Sequence, residues 1–172
     1  NLNNHKVCPD QARRQWDEGM RHLEFCTRLY RYQIATGRYF LHEHPSGATS
    51  WNTQLMKEVM LLPGVDRVVG HMCMMGMTTT NSEGQEVPVR KSTGWLSNCR
   101  PILRELGVTC DHSHDHQKLE GRKATSAAAI YPEALCKAIV RGLRVQLIMN
   151  GQMDLNYIGT QIEEEELEFN EE

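Results

Sequence analysis

The chain has 172 residues, of which 40% are hydrophobic and 24% charged, so it is long enough for one domain with a sizeable core. It contains no run of about 18 apolar residues, which excludes a membrane-spanning helix. The formal net charge is −3, but Met153–Glu172 holds one Asp and seven Glu without a Lys or Arg. The preceding residues therefore carry 19 basic against 14 acidic side chains. We expect one α/β domain over residues 1–150 and an acidic, disordered tail over residues 151–172.

The six cysteines show no disulfide-framework spacing, and no secretory signal precedes them. We therefore expect reduced thiols and an intracellular protein, nuclear or cytoplasmic, without a membrane partner. The chain also lacks an initiator methionine, which indicates a domain that is truncated at its N-terminus.

The first half of the chain alternates helix and strand signals. Apolar residues at helical spacing predict an amphipathic helix over Asp10–Thr36, and the strand formers of "RYFLHEH" follow, closed by Pro45. A second helix is predicted over Trp51–Leu62, and then "RVVGHMCMMGM", Arg67–Met77, is apolar enough for a buried strand with its methionines as core filler. A strand, a helix and a second strand at this spacing predict parallel pairing.

The second half supplies a further strand in "VPVRKSTGWLSN", a short helix capped by Asn98, and a last helix that begins at Pro132. The fold class predicted is α/β, a Rossmann-like layered fold with a short, mainly parallel sheet flanked by helices. The inward positions of the periodic segments predict the core residues Trp16, Leu23, Phe40, Val59, Val68, Val69, Ile102, Leu135, Ile139 and Leu143.

The segment His42–Glu43–His44 places a carboxyl group between two imidazoles at the end of a strand. Side chains alternate along a strand, so the histidines share one face and Glu43 lies on the other, and the three do not easily bind one metal. Ligand sites of open sheets collect at strand ends, which makes Glu43 a candidate site residue. The alternative is a glutamate that is hydrogen-bonded to the next loop.

The segment "CDHSHDH" is the sharper candidate for a metal site. Zinc binds thiolate and imidazole in a tetrahedral set, and alternate residues of an extended segment present their side chains on one side. This predicts a zinc site at Cys110, His112, His114 and His116, with Cys99 or water as an alternative fourth ligand. The competing interpretation is a solvated polar loop.

Five motifs occur in order along about Trp16 to Leu143: "GRYFLHEHPSGATSW", "HMCMMGM", "VPVRKSTGWLSN", "CDHSHDHQKLEG" and "AAAIYPEALCKAI". Together they resemble a domain of copia-like retroelement (retrotransposon) polyproteins, in which the pattern Cys-x-x-x-His-x-His selects Cys110, His114 and His116. Longer members carry, upstream, a segment similar to the Pro-Cys loop of DNA cytosine methyltransferases of the carbon-5 type.

The resemblance implies the C-terminal part of a methyltransferase-like domain. Glu43 stands where those enzymes carry a strand-end glutamate, and Arg90 and Lys91 stand at their basic cluster, so these three are the catalytic candidates and should lie side by side. The chain departs from the pattern at His44 and Pro45, and it shows neither a glycine-rich cofactor loop nor a Pro-Cys nucleophile. S-adenosylmethionine is therefore expected as a cofactor only if the upstream part is present.

Two hypotheses of function follow. The leading one is a nucleic-acid (DNA cytosine) methyltransferase-like domain that is inactive as this chain stands, with nucleic acid as its partner. The alternative is a noncatalytic interaction module that is stabilised by a small Cys/His zinc site.

Overall fold

The computed structural model describes residues 8–117 and 130–154, which form helices on both faces of a small sheet. None of the helices in these two ranges is long and apolar enough to cross a bilayer. In chain order the elements are α1 Pro9–Ala35, β1 Leu41–Pro45, α2 Gln54–Met60, β2 Asp66–His71, β3 Thr78–Thr80, β4 Glu86–Pro88, β5 Ser92–Ser97, α3 Arg100–Leu106 and α4 Glu133–Met149.

The main sheet has three strands in the order β1-β5-β2, and both pairings are antiparallel. A second sheet consists of the antiparallel pair β3 and β4. The prediction of a Rossmann-like, mainly parallel sheet is therefore wrong.

The cause of the error is the position of β5. Because β1 and β2 are each antiparallel to β5, they run in the same direction, as the strand–helix–strand pattern predicts. They do not pair, however, since β5 is inserted between them. A 3-10 turn at Met72–Met75 and the β3–β4 hairpin lead the chain from β2 back into β5 in the opposite direction.

This return also divides two segments that were each predicted as one strand. The strand predicted over Arg67–Met77 ends at His71, because the Met72–Met75 turn follows and is ended by Gly76 in the left-handed region at φ 78°. The segment "VPVRKSTGWLSN" contributes to β4 and β5, which belong to different sheets.

The two faces of the sheet carry separate apolar clusters. Neighbouring residues of β5 point to opposite faces, so Trp95 packs under α3 and α4 while Leu96 packs under α1 and α2. Gly142 allows α4 to approach α3, since a Cβ atom at this position would lie 2.5 Å from the Cα atom of Ile102. The prediction of a methionine core is confirmed for Met72, Met75 and Met77, which are buried, and wrong for Met74, which is exposed.

Most predicted core residues lie in these clusters. Leu23, Phe40, Val59, Ile102 and Leu135 are buried, Val68, Ile139 and Leu143 pack against the core half-buried, and Val69 is half-buried. The prediction for Trp16 is wrong, because 55% of this residue is exposed. The buried residues of α1 are Leu23 and Thr27, and most residues of its first turns are exposed.

Candidate metal site

The first cysteine of the site follows the end of β2. Cys73 lies in the Met72–Met75 turn, whose start is fixed by a hydrogen bond from the Met72 N–H to the Lys91 carbonyl at 3.1 Å. The Met77 N–H closes the turn by donating to the Met72 carbonyl at 3.0 Å. Cys73 is half-buried, so its thiol stands at the boundary between the core and solvent.

The second cysteine is held against the same strand end. The His71 N–H donates to the Val108 carbonyl at 2.9 Å, and the Cys110 N–H donates to Nδ1 of His71, also at 2.9 Å. These two bonds lay the segment after α3 alongside the last residue of β2. Cys110 is thereby buried next to the turn that carries Cys73.

The loop after Cys110 turns back toward the cysteine sulfur. His112 has a φ of 64°, in the left-handed region, and its N–H donates to the Cys110 sulfur at 3.3 Å. The Asp111 carboxylate accepts from the Ser113 N–H at 3.0 Å, which tightens the turn. The loop is fixed again where the Gln117 N–H donates to the Pro88 carbonyl at 2.9 Å.

Four ligand-type side chains converge as a result. The Cys110 sulfur lies 3.6 Å from Nε2 of His114 and 3.4 Å from Nε2 of His116. Together with the Cys73 sulfur, these atoms all lie within 4.8 Å of one another. The group can hold a metal ion.

The two sulfur–nitrogen separations, 3.4 Å and 3.6 Å, are close to those of a tetrahedral zinc site. With bonds of about 2.3 Å to sulfur and about 2.0–2.1 Å to nitrogen, tetrahedral angles give a sulfur–nitrogen separation of about 3.6 Å. A sulfur–imidazole hydrogen bond has a similar length, and the Cys110 sulfur can accept from an imidazole N–H as well as donate, so the distances alone do not require a metal; the convergence of a second thiol on the same point is what favours one. A cation between the four atoms would satisfy both imidazoles and both sulfurs at once.

The electrostatic surroundings differ between the ligands. Desolvation lowers the pKa of His116, and the neighbouring His114 and Arg90 charges lower it further, which favours the neutral imidazole that binds metal. Burial raises the pKa of the Cys73 thiol, and its hydrogen bond to Cys110 adds to the rise. Burial, and then Arg90, also lowers the pKa of His71, consistent with a neutral ring that accepts from the Cys110 N–H.

Three of the four predicted ligands meet at this point, and the fourth does not. The ring centroid of His112 lies 6.0 Å from that of His116, and His112 contributes its backbone N–H rather than its ring. Cys99, the predicted substitute, is fully buried in the core at the start of α3. Cys73 takes the fourth place, which the sequence analysis missed. No local signal marked it, because the predicted strand over Arg67–Met77 ran through Cys73.

The three catalytic candidates do not form one group. The Lys91 ammonium lies 3.6 Å from the Glu43 carboxylate, so the expected proximity of Glu43 to Lys91 is confirmed. The Tyr131 hydroxyl donates to the other carboxylate oxygen at 3.4 Å, and burial, followed by Glu43, raises the pKa of Tyr131. The charge of Arg90 instead lowers the pKa of His71 and of His116. Glu43 is the third residue of the five-residue strand β1, not its last.

The histidines beside Glu43 point to the opposite face, as alternation predicts. The rings of His42 and His44 lie 5.1 Å and 6.3 Å from the Trp51 ring. Nδ1 of His42 lies 2.8 Å from the Tyr30 hydroxyl, while its buried Nε2 finds no hydrogen-bond partner among the described residues. Burial, with the His44 charge, lowers the pKa of His42 to about 4. These histidines belong to the packing between α1 and the sheet.

Comparison with protein-family models, with curated proteins and with solved structures finds no match to the chain. The candidate site is therefore interpreted from its own geometry.

Proposed function

We propose that the chain is a noncatalytic module whose fold is stabilised by a zinc ion bound to Cys73, Cys110, His114 and His116. The observation that carries the proposal is the Cys110 sulfur, which faces two imidazole nitrogens at 3.4 Å and 3.6 Å beside a second thiol. Two sulfur and two nitrogen ligands in a tetrahedral set favour zinc over harder cations such as magnesium or calcium.

A structural role fits the number of ligands. Four protein side chains fill a tetrahedral zinc site, whereas catalytic zinc keeps a position open for water or substrate. The ligands come from two segments, the turn after β2 and the loop after α3, so the ion would join them. Metal binding would then contribute directly to the free energy of folding of that loop.

The interaction role remains a prediction. Phe25, Leu29 and Tyr32 of α1 follow one another at helical spacing, and each is 44–58% exposed. Exposed apolar groups of this kind are typical of binding surfaces. Methyltransferase activity also remains a prediction, and the antiparallel sheet gives it no support.

The test is elemental analysis of the full chain purified without added metal, repeated on Cys73→Ser, Cys110→Ser and His114→Ala. We expect about one zinc per chain in the parent protein and at least a tenfold weaker affinity in each variant, since each loses a direct ligand. Cys136→Ser is the matched control, because Cys136 is exposed on α4 and outside the cluster. A parent protein without zinc, or variants with unchanged affinity, would refute the proposal.

A further inference from the structure

The two sulfurs of the metal site form a pair with its own chemistry. Cys73 and Cys110 lie in one cluster whose ligand atoms are within 4.8 Å of one another; Cys73 belongs to the short 3-10 turn Met72–Met75 and Cys110 to the loop after α3. A disulfide requires the sulfurs to approach to about 2.05 Å. Both cysteines lie outside the strands of the two sheets, so this movement need not break a strand pairing.

We infer that Cys73 and Cys110 form a redox-active dithiol, which a hydroperoxide oxidises to a disulfide with release of the bound metal. The inference rests on the proposed zinc site and adds its regulation.

The exposure of the two residues sets their roles. Cys73 is half-buried and reachable from solvent, whereas only 7% of Cys110 is exposed. Of two neighbouring cysteines, the more exposed one meets an oxidant first and the other can resolve the sulfenic acid that forms. Cys73 is accordingly the thiol that meets the oxidant, and Cys110 is the resolving thiol.

The reaction balances with hydrogen peroxide as the two-electron oxidant. The metal-bound Cys73 thiolate attacks one peroxide oxygen, the O–O bond breaks, and a sulfenic acid forms as hydroxide leaves. The Cys110 thiolate then attacks the Cys73 sulfur, forms the S–S bond and displaces a second hydroxide. Two protons from solvent convert both hydroxides to water.

Loss of the metal follows from the loss of its ligands. The disulfide removes both thiolates, and only the imidazoles of His114 and His116 remain of the four donors. A dithiol reductant returns two electrons, restores both thiols and allows the ion to bind again.

The experiment treats the zinc-loaded full chain with graded hydrogen peroxide. Released zinc is measured with a chromophoric chelator, and the linked cysteines are identified by differential alkylation and mass spectrometry. We expect one zinc released for each Cys73–Cys110 disulfide, with both changes reversed by dithiothreitol and zinc. Cys136→Ser should behave like the parent protein, while Cys73→Ser should form no such link.

The outcomes separate this inference from the zinc proposal. A chain that holds zinc but keeps it under peroxide, or releases it without a Cys73–Cys110 link, overturns the redox inference and leaves the zinc site standing. A chain without zinc that still forms this link under peroxide refutes the zinc proposal and supports the dithiol alone. His114→Ala retains both thiols and should form the disulfide even where its zinc is lost.

Discussion

The sulfur of Cys110 lies 3.4 Å from Nε2 of His116, six residues later in the same loop, although the chain between them has no regular secondary structure. Between them His112 has a left-handed φ of 64°, and its N–H donates to the same sulfur at 3.3 Å. The backbone conformation of His112 is therefore part of the geometry of the candidate site.

His112 is therefore expected to matter through its backbone and not through its ring. His112→Gly should retain one zinc per chain with an affinity within a few-fold of the parent, because glycine adopts a positive φ freely. His112→Val should bind more weakly, since a β-branched residue adopts a positive φ far less readily than His, which is one of the residues enriched there. Competition titration with a chromophoric chelator measures both. A loss of zinc in His112→Gly that matches His114→Ala would make the His112 ring a ligand.

Removal of the metal should loosen the loop and spare the sheet. We expect a chelator to speed hydrogen exchange at the amides of Cys110, His112 and Gln117, whose hydrogen bonds hold the loop in place. The Leu96 amide, in the central strand β5, is the internal control and should not change. Equal acceleration at Leu96 would indicate global unfolding, and no acceleration at the loop would show that metal does not order it.

The sequence alone could reveal some parts of this fold and not others. The helices and the buried face of most segments follow from local periodicity, which is why Leu23, Phe40 and Leu135 were predicted in the core. The direction of strand pairing was not predictable in this way. It depends on β5 entering between β1 and β2, and no local pattern records which strands become neighbours.

The ligands of the candidate site could likewise be predicted only in part. Cys110, His114 and His116 lie within one short segment, so their spacing could indicate a metal site. Cys73 belongs to another element, and it joins them only because hydrogen bonds from the His71 and Cys110 amides hold the loop against the end of β2. The core prediction for Trp16 was wrong for a related reason. Helical periodicity shows which face of α1 is apolar but not how much of its length is buried, and the buried residues of α1 are Leu23 and Thr27.

Stability should fall with acid because of His42. Its pKa in the folded protein is about 4, below the ordinary 6.5, so between these values the unfolded chain binds a proton that the folded protein does not. The free energy of unfolding should therefore decrease as the pH falls from 6.5 toward 4. His42→Gln should flatten this dependence, and His22→Gln, an exposed position on α1, should leave it unchanged.

Urea unfolding across this pH range measures the effect. Both substitutions should be made in a His114→Ala background with excess chelator, so that loss of metal does not contribute. The groups that face His42 are Tyr30, His44 and Trp51. An identical slope in the His42→Gln protein and its background would refute the assignment.

The contact between α3 and α4 gives a prediction about stability. Gly142→Ala should lower the free energy of unfolding by about 1–3 kcal/mol, because the new methyl group would overlap the Ile102 backbone at 2.5 Å. Gly19→Ala is the matched control in α1, where a Cβ atom meets nothing within 4 Å. It should raise stability by roughly 0.5–1 kcal/mol, since alanine is the better helix former. Denaturant unfolding measures both changes in stability. A Gly142→Ala protein as stable as its parent would contradict the close contact between α3 and α4.

X-ray absorption at the zinc edge, on the full chain purified without added metal, measures the coordination shell of the proposed site directly. We expect two sulfur neighbours at about 2.3 Å and two nitrogen neighbours at about 2.0–2.1 Å, with one sulfur lost in Cys73→Ser. A shell of oxygen and nitrogen alone, or a sulfur count that Cys73→Ser leaves unchanged, would contradict zinc binding by Cys73, Cys110, His114 and His116.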